Sequence, residues 1–211
     1  MRVEDAAASA LSARSEFERC WNDPGATRFE LPAVGVNEVL ARHYTMRPSV
    51  NLTRSLIWDM ACKKALDPSI YVPYVISDAG IVKRHQLSDG CDHFIRWSTQ
   101  KAWLSERRGC VLESVFIDHS RQRIIFLGIA EARSGDGRTI TAADYQPLVH
   151  VEHVAGGSEH NPHNLWRVVF LTNGSDERYV EPFKHAASAG LLPGYLEIYI
   201  EKDLGVELSV S

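Results

Sequence analysis

The stretch NLTRSLIWDMACKKALDPSIYVPYV, residues 51–75, carries the clearest local signals in this chain. Its start predicts a helix, because the side-chain oxygen of Asn51 or Thr53 can accept a hydrogen bond from an unpaired N–H of the first turn. Apolar residues then recur at the three- and four-residue spacing of one helix face. Asp67-Pro68 ends the helix, since a residue before proline is disfavoured in the helical conformation. Residues 71–75 are then either an extended apolar link or a second short helix.

From residue 80 onward, apolar and polar residues alternate, which predicts strands whose side chains point to the two faces of a sheet in turn. Short polar turns separate the segments and favour antiparallel hairpins. We therefore expect an antiparallel sheet with two longer linkers, at residues 132–145 and 155–164. The predicted strands are residues 80–87, 92–99, 111–118, 123–131, 146–154 and 165–172.

The two ends of the chain are predicted to be mainly helical. Residues 4–20 suit a helix and residues 22–35 a loop, because Pro24-Gly25 and Pro32 interrupt regular structure. Residues 36–46 are predicted as a first strand, although VNEVLARH would also suit a helix. Residues 176–186 form a short helix and residues 191–204 a longer one, whose apolar face can cover the sheet. The fold class is α+β, and sheet and helix would enclose a cavity.

Composition limits the classes of protein to consider. The chain has 211 residues, suited to one domain, and 45% of them are hydrophobic, enough for a sizeable core. A net charge of −4 gives no indication of a nucleic-acid partner. No apolar run is long enough for a membrane span, and the first residues lack the apolar segment of a signal peptide. We expect a cytoplasmic protein whose four scattered cysteines are reduced.

A set of residues within 52–84 resembles a known family. The set comprises Leu52-Thr53, Trp58, Lys64-Ala65, Asp67-Pro68 and Tyr71-Val72-Pro73. In this order and spacing they resemble the start of the AtaL-like branch of the START/polyketide-cyclase superfamily, also called SRPBCC or helix-grip.

The resemblance implies a curved antiparallel sheet of about six or seven strands around a long C-terminal helix, with a central hydrophobic cavity. Members of the superfamily bind lipids, hormones and polyketides, and some catalyse cyclisation, dehydration or isomerisation. Residues 36–211 would then be the helix-grip ligand-binding domain, and residues 1–35 an N-terminal helical and loop extension.

Three residues are candidates for catalysis. His150 lies on a predicted strand, and an imidazole in a cavity can act as a general base near neutral pH. Glu113 alternates with apolar residues, so it is either paired with Arg96 or Arg167 or an acid with a raised pKa. Tyr199 lies on the apolar face of the last helix and could direct its hydroxyl inward.

The candidates for substrate binding are mostly aromatic, because ligand pockets are largely apolar with a few orienting polar groups. Each of these aromatic residues could instead serve only to pack the core. The candidates are Trp97, Trp103, Trp166, Tyr74, Tyr195, His93 and Arg96.

The sequence contains none of the common signatures for nucleophilic, metal-dependent or phosphate-binding catalysis. We therefore predict no metal and no cofactor. The leading hypothesis is a natural-product enzyme that holds a hydrophobic polyketide- or terpenoid-type intermediate and promotes cyclisation or isomerisation, including a pericyclic (Diels–Alder type) reaction. The alternatives are a non-catalytic carrier of a lipid or small hydrophobic ligand and, more weakly, a hydrolase or metal-dependent enzyme. A monomer or homodimer is expected.

Overall fold

The computed structural model describes residues 9–87 and 90–211. The helices are α1 (Ala10–Trp21), α2 (Val36–His43), α3 (Arg54–Leu66), α4 (Pro68–Tyr71), α5 (Glu181–Ser188) and α6 (Gly194–Lys202), with one 3-10 turn at Glu177–Tyr179. The strands are β1 (Thr27–Gly35), β2 (Tyr44–Arg47), β3 (Ile76–Gln86), β4 (Asp92–Lys101), β5 (Arg108–Asp118), β6 (Arg123–Ile129), β7 (Glu131–Arg133), β8 (Thr139–Thr141), β9 (Val149–Ser158), β10 (Asn161–Phe170) and β11 (Glu207–Val210).

A seven-stranded sheet with the order β1-β10-β9-β6-β5-β4-β3 forms the centre of the molecule. Every neighbouring pair is antiparallel. Two small sheets, β2 with β11 and β7 with β8, lie outside it. The predicted α+β class and the antiparallel sheet are confirmed.

The two faces of the large sheet are covered by different helices. The inner face carries Phe94, Val115 and Phe126, which pack in one core with residues of α2, α3 and α6. The outer face carries Phe116 and Ile125, which pack against α1. Since side chains alternate along a strand, neighbouring residues belong to two separate cores.

Helix α3 is the main cover of the inner face, and both of its ends are anchored. Thr53 Oγ1 accepts a hydrogen bond from Leu56 N–H, as the sequence predicts for the N-cap. Arg54 N–H donates to Glu159 O in the β9–β10 turn, at 2.9 Å. The helix ends at Leu66, and Asp67 caps the short helix α4 by accepting from Ser69 N–H.

Several predicted segments differ from the structure. Residues 27–35, predicted as loop, form β1; Pro32 is tolerated because β1 is an edge strand with an irregularity between Leu31 and Val34. Residues 36–46, predicted as a strand, form α2 and then β2, which pairs with β11. The division of the chain after residue 35 stays a prediction.

The two predicted linkers are also partly wrong. Residues 132–145 include the β7–β8 hairpin. Strands β9 and β10 continue through residues 155–164 up to a tight turn. Gly157 has φ +76, and a Cβ there would lie 2.2 Å from Asn161 O, so the turn requires glycine.

The C-terminal helix is shorter than predicted. It spans nine residues, starting after Pro193, and Gly205 follows it at φ +64. The inner face is therefore covered jointly by α2, α3 and α6 rather than by one long terminal helix. None of the helices in the described ranges is long and apolar enough to cross a membrane.

The contact of α1 with the outer face is testable at Phe17, which is fully buried and stacks on Trp21. Phe17→Ala should lower the free energy of unfolding by roughly 3–5 kcal/mol, because it leaves a cavity in this core. Leu11→Ala, at a 73% exposed position of the same helix, should change it by less than about 0.5 kcal/mol. Urea unfolding followed by circular dichroism measures both, and equal effects would contradict the packing of α1 on the sheet.

Candidate active site

A row of six polar side chains lies between the inner face of the sheet and the helices that cover it. We call it the interior polar row. Two members come from β4 and β5, two from β9 and β10, and one each from α3 and α6. They are Arg96, Glu113, His153, Asn164, Lys64 and Tyr195.

Arg96 and Glu113 form a buried ion pair at one end of the row. They face each other across β4 and β5, and Arg96 Nε lies 2.7 Å from Glu113 Oε2. Arg96 Nη1 also donates to the backbone oxygens of Lys64 and Ala65, at 3.2 and 2.6 Å. The predicted pairing of Glu113 with Arg96 is confirmed, whereas Arg167, the other predicted partner, bonds Glu18 and Glu152 on the outer face.

Lys64 projects from α3 into the middle of the row and is 8% exposed. Its Nζ lies over the ring of Tyr195, 4.7 Å from the centroid, and 5.6 Å from the centroid of Phe126. Burial and the nearby Arg96 guanidinium lower the pKa of Lys64 to about 7, against a smaller opposing effect of Glu113. Much of this amine is therefore uncharged at neutral pH.

His153, Asn164 and Tyr195 form a hydrogen-bonded chain at the other end of the row. His153 Nε2 lies 2.6 Å from Asn164 Oδ1, and Asn164 Nδ2 donates to Tyr195 Oη at 3.0 Å. Because an amide oxygen only accepts, His153 donates from Nε2 and keeps a lone pair on Nδ1. Burial lowers the pKa of His153 to about 3, so the ring is neutral.

The direction of these two hydrogen bonds leaves the hydroxyl proton of Tyr195 free to be donated. Tyr195 Oη accepts from Asn164, and burial raises the pKa of Tyr195, so the phenol keeps its proton. Among the described residues, His153 Nδ1 has no hydrogen-bond partner although it is buried. The row thus offers a phenol donor, an imidazole acceptor and an amine: the Lys64 amine lies over the Tyr195 ring, and the His153 ring is 5.6 Å from it between centroids.

A cavity of about 70 Å³ adjoins the row at Glu113. Trp103, Gln146, Val149 and Val151 are also on its walls. A more open groove of about 320 Å³, lined in part by Leu104 and Tyr145, lies next to it and shares Gln146 as a wall. Ligand pockets for small molecules usually measure roughly 300–1,000 Å³. A large ligand must therefore widen the inner cavity.

Four of the predicted site residues lie at this interior site. Glu113 and Trp103 line the cavity, while Arg96 and Tyr195 belong to the interior polar row. Trp166 is on the same face of the sheet, packed against Phe183 of α5. Tyr74 is 57% exposed and lies against Gly194 at the start of α6, beside Tyr195.

Three predicted residues lie on the outer face, away from this site. His150 accepts a hydrogen bond at Nδ1 from Gly128 N–H, beneath α1. His93 stacks on Phe116 and bonds Ser114, and burial lowers its pKa to about 4. Trp97 packs over Gly80. All three side chains point to the sheet face opposite Arg96 and Glu113. The prediction that these residues belong to the same pocket is therefore corrected.

Tyr199, the third predicted catalytic residue, is buried, but its hydroxyl points out of the row. It donates to Asp59 Oδ2 at 2.7 Å, next to the exposed ion pair of Lys63 with Asp59. The prediction that Tyr199 directs its hydroxyl into the cavity is therefore corrected, because the α3–α6 interface supplies a carboxylate partner on the other side.

One group of possible metal ligands occurs in the described ranges, on the outer face: Glu16, Cys20 and His150, whose ligand atoms lie within 4.8 Å of one another. The Arg19 guanidinium is 2.7 Å from Glu16 Oε1 and 3.2 Å from Cys20 Sγ. It supplies positive charge where a cation would lie. Burial also raises the pKa of Cys20 to about 11, which disfavours a thiolate ligand. This group does not fit a metal site.

No protein-family model matches the sequence, and no curated protein matches it. Among solved structures, the chain is similar to the Zhui aromatase/cyclase from Streptomyces sp. R1128, with a TM-score of 0.51 and 13% identity over 83% of this chain and 95% of that one. It is also similar to Ara h 8.0201, with a TM-score of 0.49 and 13% identity over 86% and 99% of the two chains. The first likeness agrees with the observed topology: the fold is α+β of the helix-grip type.

Lys64, His153 and Asn164 are site residues that were not among the predicted candidates. Lys64 shares an apolar helix face with Met60. A lysine on an apolar face indicates a buried amine, so this position could have been predicted as a functional residue. Alternation along β9 puts His153 on the face opposite His150, as observed, but the strand pattern does not tell which face lies inside. Asn164 was assigned to a linker, so its strand position was not visible.

The lowered pKa of Lys64 has a consequence for stability. Between about 7 and its ordinary value of 10.5, the unfolded chain binds a proton that the folded chain does not, so the free energy of unfolding rises with pH. The contribution is roughly 1.4 kcal/mol per pH unit within this range. Lys64→Met should remove this slope, measured as the difference from wild type in urea unfolding at several pH values.

Lys63→Met is the matched control for that measurement. Hydrogen bonds to Asp203 and Asp59 raise the pKa of Lys63, so this residue is protonated in the folded protein throughout the range and in the unfolded chain up to about pH 9.5. The control should therefore keep the wild-type slope. A wild-type slope in Lys64→Met would show that Lys64 is charged in the folded protein.

Proposed function

We propose that this protein is a cofactor-independent enzyme of natural-product biosynthesis, of the AtaL-like branch. It binds a hydrophobic polyketide- or terpenoid-type intermediate between sheet and helices and promotes its cyclisation or isomerisation. The observation that carries the proposal is the Tyr195 hydroxyl, oriented by Asn164 and His153 inside the fold. A cytoplasmic location and a monomeric or dimeric state remain predictions.

The chemistry assigned to Tyr195 is polarisation of a substrate carbonyl. When a carbon nucleophile closes a ring on a carbonyl carbon, negative charge develops on the oxygen. A fixed O–H donor in a site shielded from water stabilises that charge without having to reorient. A hydrogen bond from Tyr195 to a carbonyl would also activate an alkene conjugated to that carbonyl. The Tyr195 hydroxyl could therefore promote a pericyclic ring closure as well.

The shape of the interior supplies the second part of catalysis. A flexible chain with several carbonyl groups has many conformations, and only a few bring the two reacting carbons together. Apolar walls from the sheet and from α3 and α6 would hold the chain in one of them, which lowers the entropic part of the barrier. The likeness in fold to a solved aromatase/cyclase agrees with this use of the interior.

The interior polar row favours an enzyme over a carrier. A carrier of lipid or another hydrophobic ligand is best served by an apolar interior, because buried polar groups cost free energy even when they are paired. Here an amine and a neutral imidazole are buried, and among the described residues the Nδ1 atom of the imidazole has no partner. Such groups are costly for packing and useful for proton transfer and hydrogen bonding.

Replacing Tyr195 with Phe tests the proposal. The substrate would be a synthetic linear poly-β-ketone thioester, with cyclised products followed by liquid chromatography and mass spectrometry. Wild-type protein should form product faster than buffer, and Tyr195→Phe should lower the rate on the order of 100-fold, because one donor to the developing oxyanion is lost.

Tyr199→Phe is the control, since it removes a hydroxyl from the same helix that is bonded to Asp59 outside the row. It should keep the wild-type rate. If wild-type protein forms product no faster than buffer, cyclisation of this substrate class is rejected and the carrier alternative is favoured. If both variants lose activity equally, Tyr195 has no special role.

A further inference from the structure

The proposed function leaves Lys64 without a role, although it is the most unusual ionisable group in the row. Its Nζ faces the rings of Tyr195 and Phe126, and no hydrogen bond to this atom occurs within residues 9–87 and 90–211. Lysine ammonium groups normally remain in water or pair with a carboxylate. The Glu113 carboxylate, which acts on the charge of Lys64, is already bonded to Arg96.

We propose that the Lys64 amine forms a covalent imine or enamine with a ketone of a β-dicarbonyl substrate. This inference rests on the proposed function, because it specifies how the same interior site binds its substrate. It assigns the substrate class more narrowly, to molecules that carry a ketone next to a second carbonyl group. Lys64 is then a nucleophile, and Tyr195 polarises the carbonyl that accepts it.

The surroundings of Lys64 meet the requirements of an amine nucleophile. The nitrogen must be unprotonated, and here the positive charge of Arg96 and the removal from water both disfavour the ammonium form. Glu113 opposes this only weakly, because its charge is compensated by two contacts with the Arg96 guanidinium. His153 is neutral and adds no negative charge.

The neighbouring residue Lys63 shows what the position contributes. It lies one residue earlier on α3, half-exposed, and its Nζ is 2.8 Å from Asp203 and 2.9 Å from Asp59. The two lysines share sequence context and helix, and only the direction in which they point differs. Lys63 is held as an ammonium by two carboxylates, while Lys64 is enclosed by rings.

The reaction balances without any further reagent. The Lys64 nitrogen lone pair forms a bond to the ketone carbon, and the C=O bond breaks. Water leaves with the ketone oxygen, one proton from the nitrogen and one from the carbon between the two carbonyl groups. The product is a conjugated enaminone. Its nucleophilic carbon can attack a second carbonyl group of the same chain, and addition of water later releases the lysine.

The test uses the full-length protein and pentane-2,4-dione, a small 1,3-diketone, at neutral pH. At this pH an amine with a pKa of about 7 is uncharged roughly a thousand times more often than one at 10.5. We expect one adduct per chain, with a mass gain of one diketone minus one water. Peptide mapping should place it at Lys64, at a rate exceeding that at Lys63 by at least about 100-fold.

Lys64→Met and Lys63→Met are the matched pair of variants. The adduct should be absent from the first and unchanged in the second, with circular dichroism showing that both are folded. An adduct spread over the exposed lysines, or none at Lys64, overturns the inference. Should Lys64→Met fail to fold, the position of the adduct in wild-type protein still decides.

A second arm separates this inference from the proposed function. Wild-type protein is incubated with the poly-β-ketone thioester, and its intact mass and peptide map are measured directly, because a conjugated enaminone is not readily reduced by borohydride. Cyclised product together with an adduct at Lys64 supports both. Product without any adduct overturns covalent catalysis and leaves the cyclase proposal standing, and a diketone adduct without turnover supports the reactive amine while rejecting the cyclase.

Discussion

The contact on which the interior depends is the one that Arg96 makes with the C-terminal end of α3. A single guanidinium bonds Glu113 on the neighbouring strand and the backbone oxygens of residues 64 and 65. A cation at a helix C-terminus also interacts favourably with the helix dipole. This contact ties the C-terminal end of α3 to β4 and β5, at the position where Lys64 projects into the interior.

Such a contact has a consequence for charge. Burying Arg96 requires a carboxylate, which Glu113 supplies, and the pair is then close to neutral overall. A second buried cation next to it has no partner of its own, so Lys64 is more stable uncharged. Arg96 therefore has two effects: it holds α3 against the sheet, and its charge helps to keep the adjacent Lys64 amine unprotonated.

The sheet separates two kinds of polar cluster. On the inner face the polar groups lie among aromatic rings, and Glu113 borders the cavity. On the outer face, Arg167, Glu18 and Glu152 neutralise one another beneath α1, and Arg19 does the same for Glu16. Among the described residues, buried polar atoms without a hydrogen-bond partner occur on both faces: His153 Nδ1 on the inner face, His93 Nδ1 and Glu152 Oε1 on the outer face. The inner face differs in holding the Lys64 amine against aromatic rings rather than against a carboxylate.

Much of the architecture could be read from local patterns. The Thr53 cap, the stop at Asp67-Pro68 and the alternation from residue 80 all depend on neighbours in the chain, so the α3 helix and the main strands were predictable. The β1 strand was not, because Pro32 is compatible with a strand only where one edge faces away from the sheet. The short α6 likewise depends on which helices share the inner face.

The sequence by itself determined which residues share a face of the sheet: His150 and His153 lie on opposite faces, and Glu113 and Val115 on the same face. Alternation is a property of the extended backbone and needs no partner. Which of the two faces lies inside was decided only by the tertiary structure, because α1 covers one and α3 with α6 covers the other. The role of each candidate follows from that choice. The Lys64 amine lies over the ring of Tyr195, whereas Tyr199 is bonded to Asp59 and His150 to the backbone of Gly128.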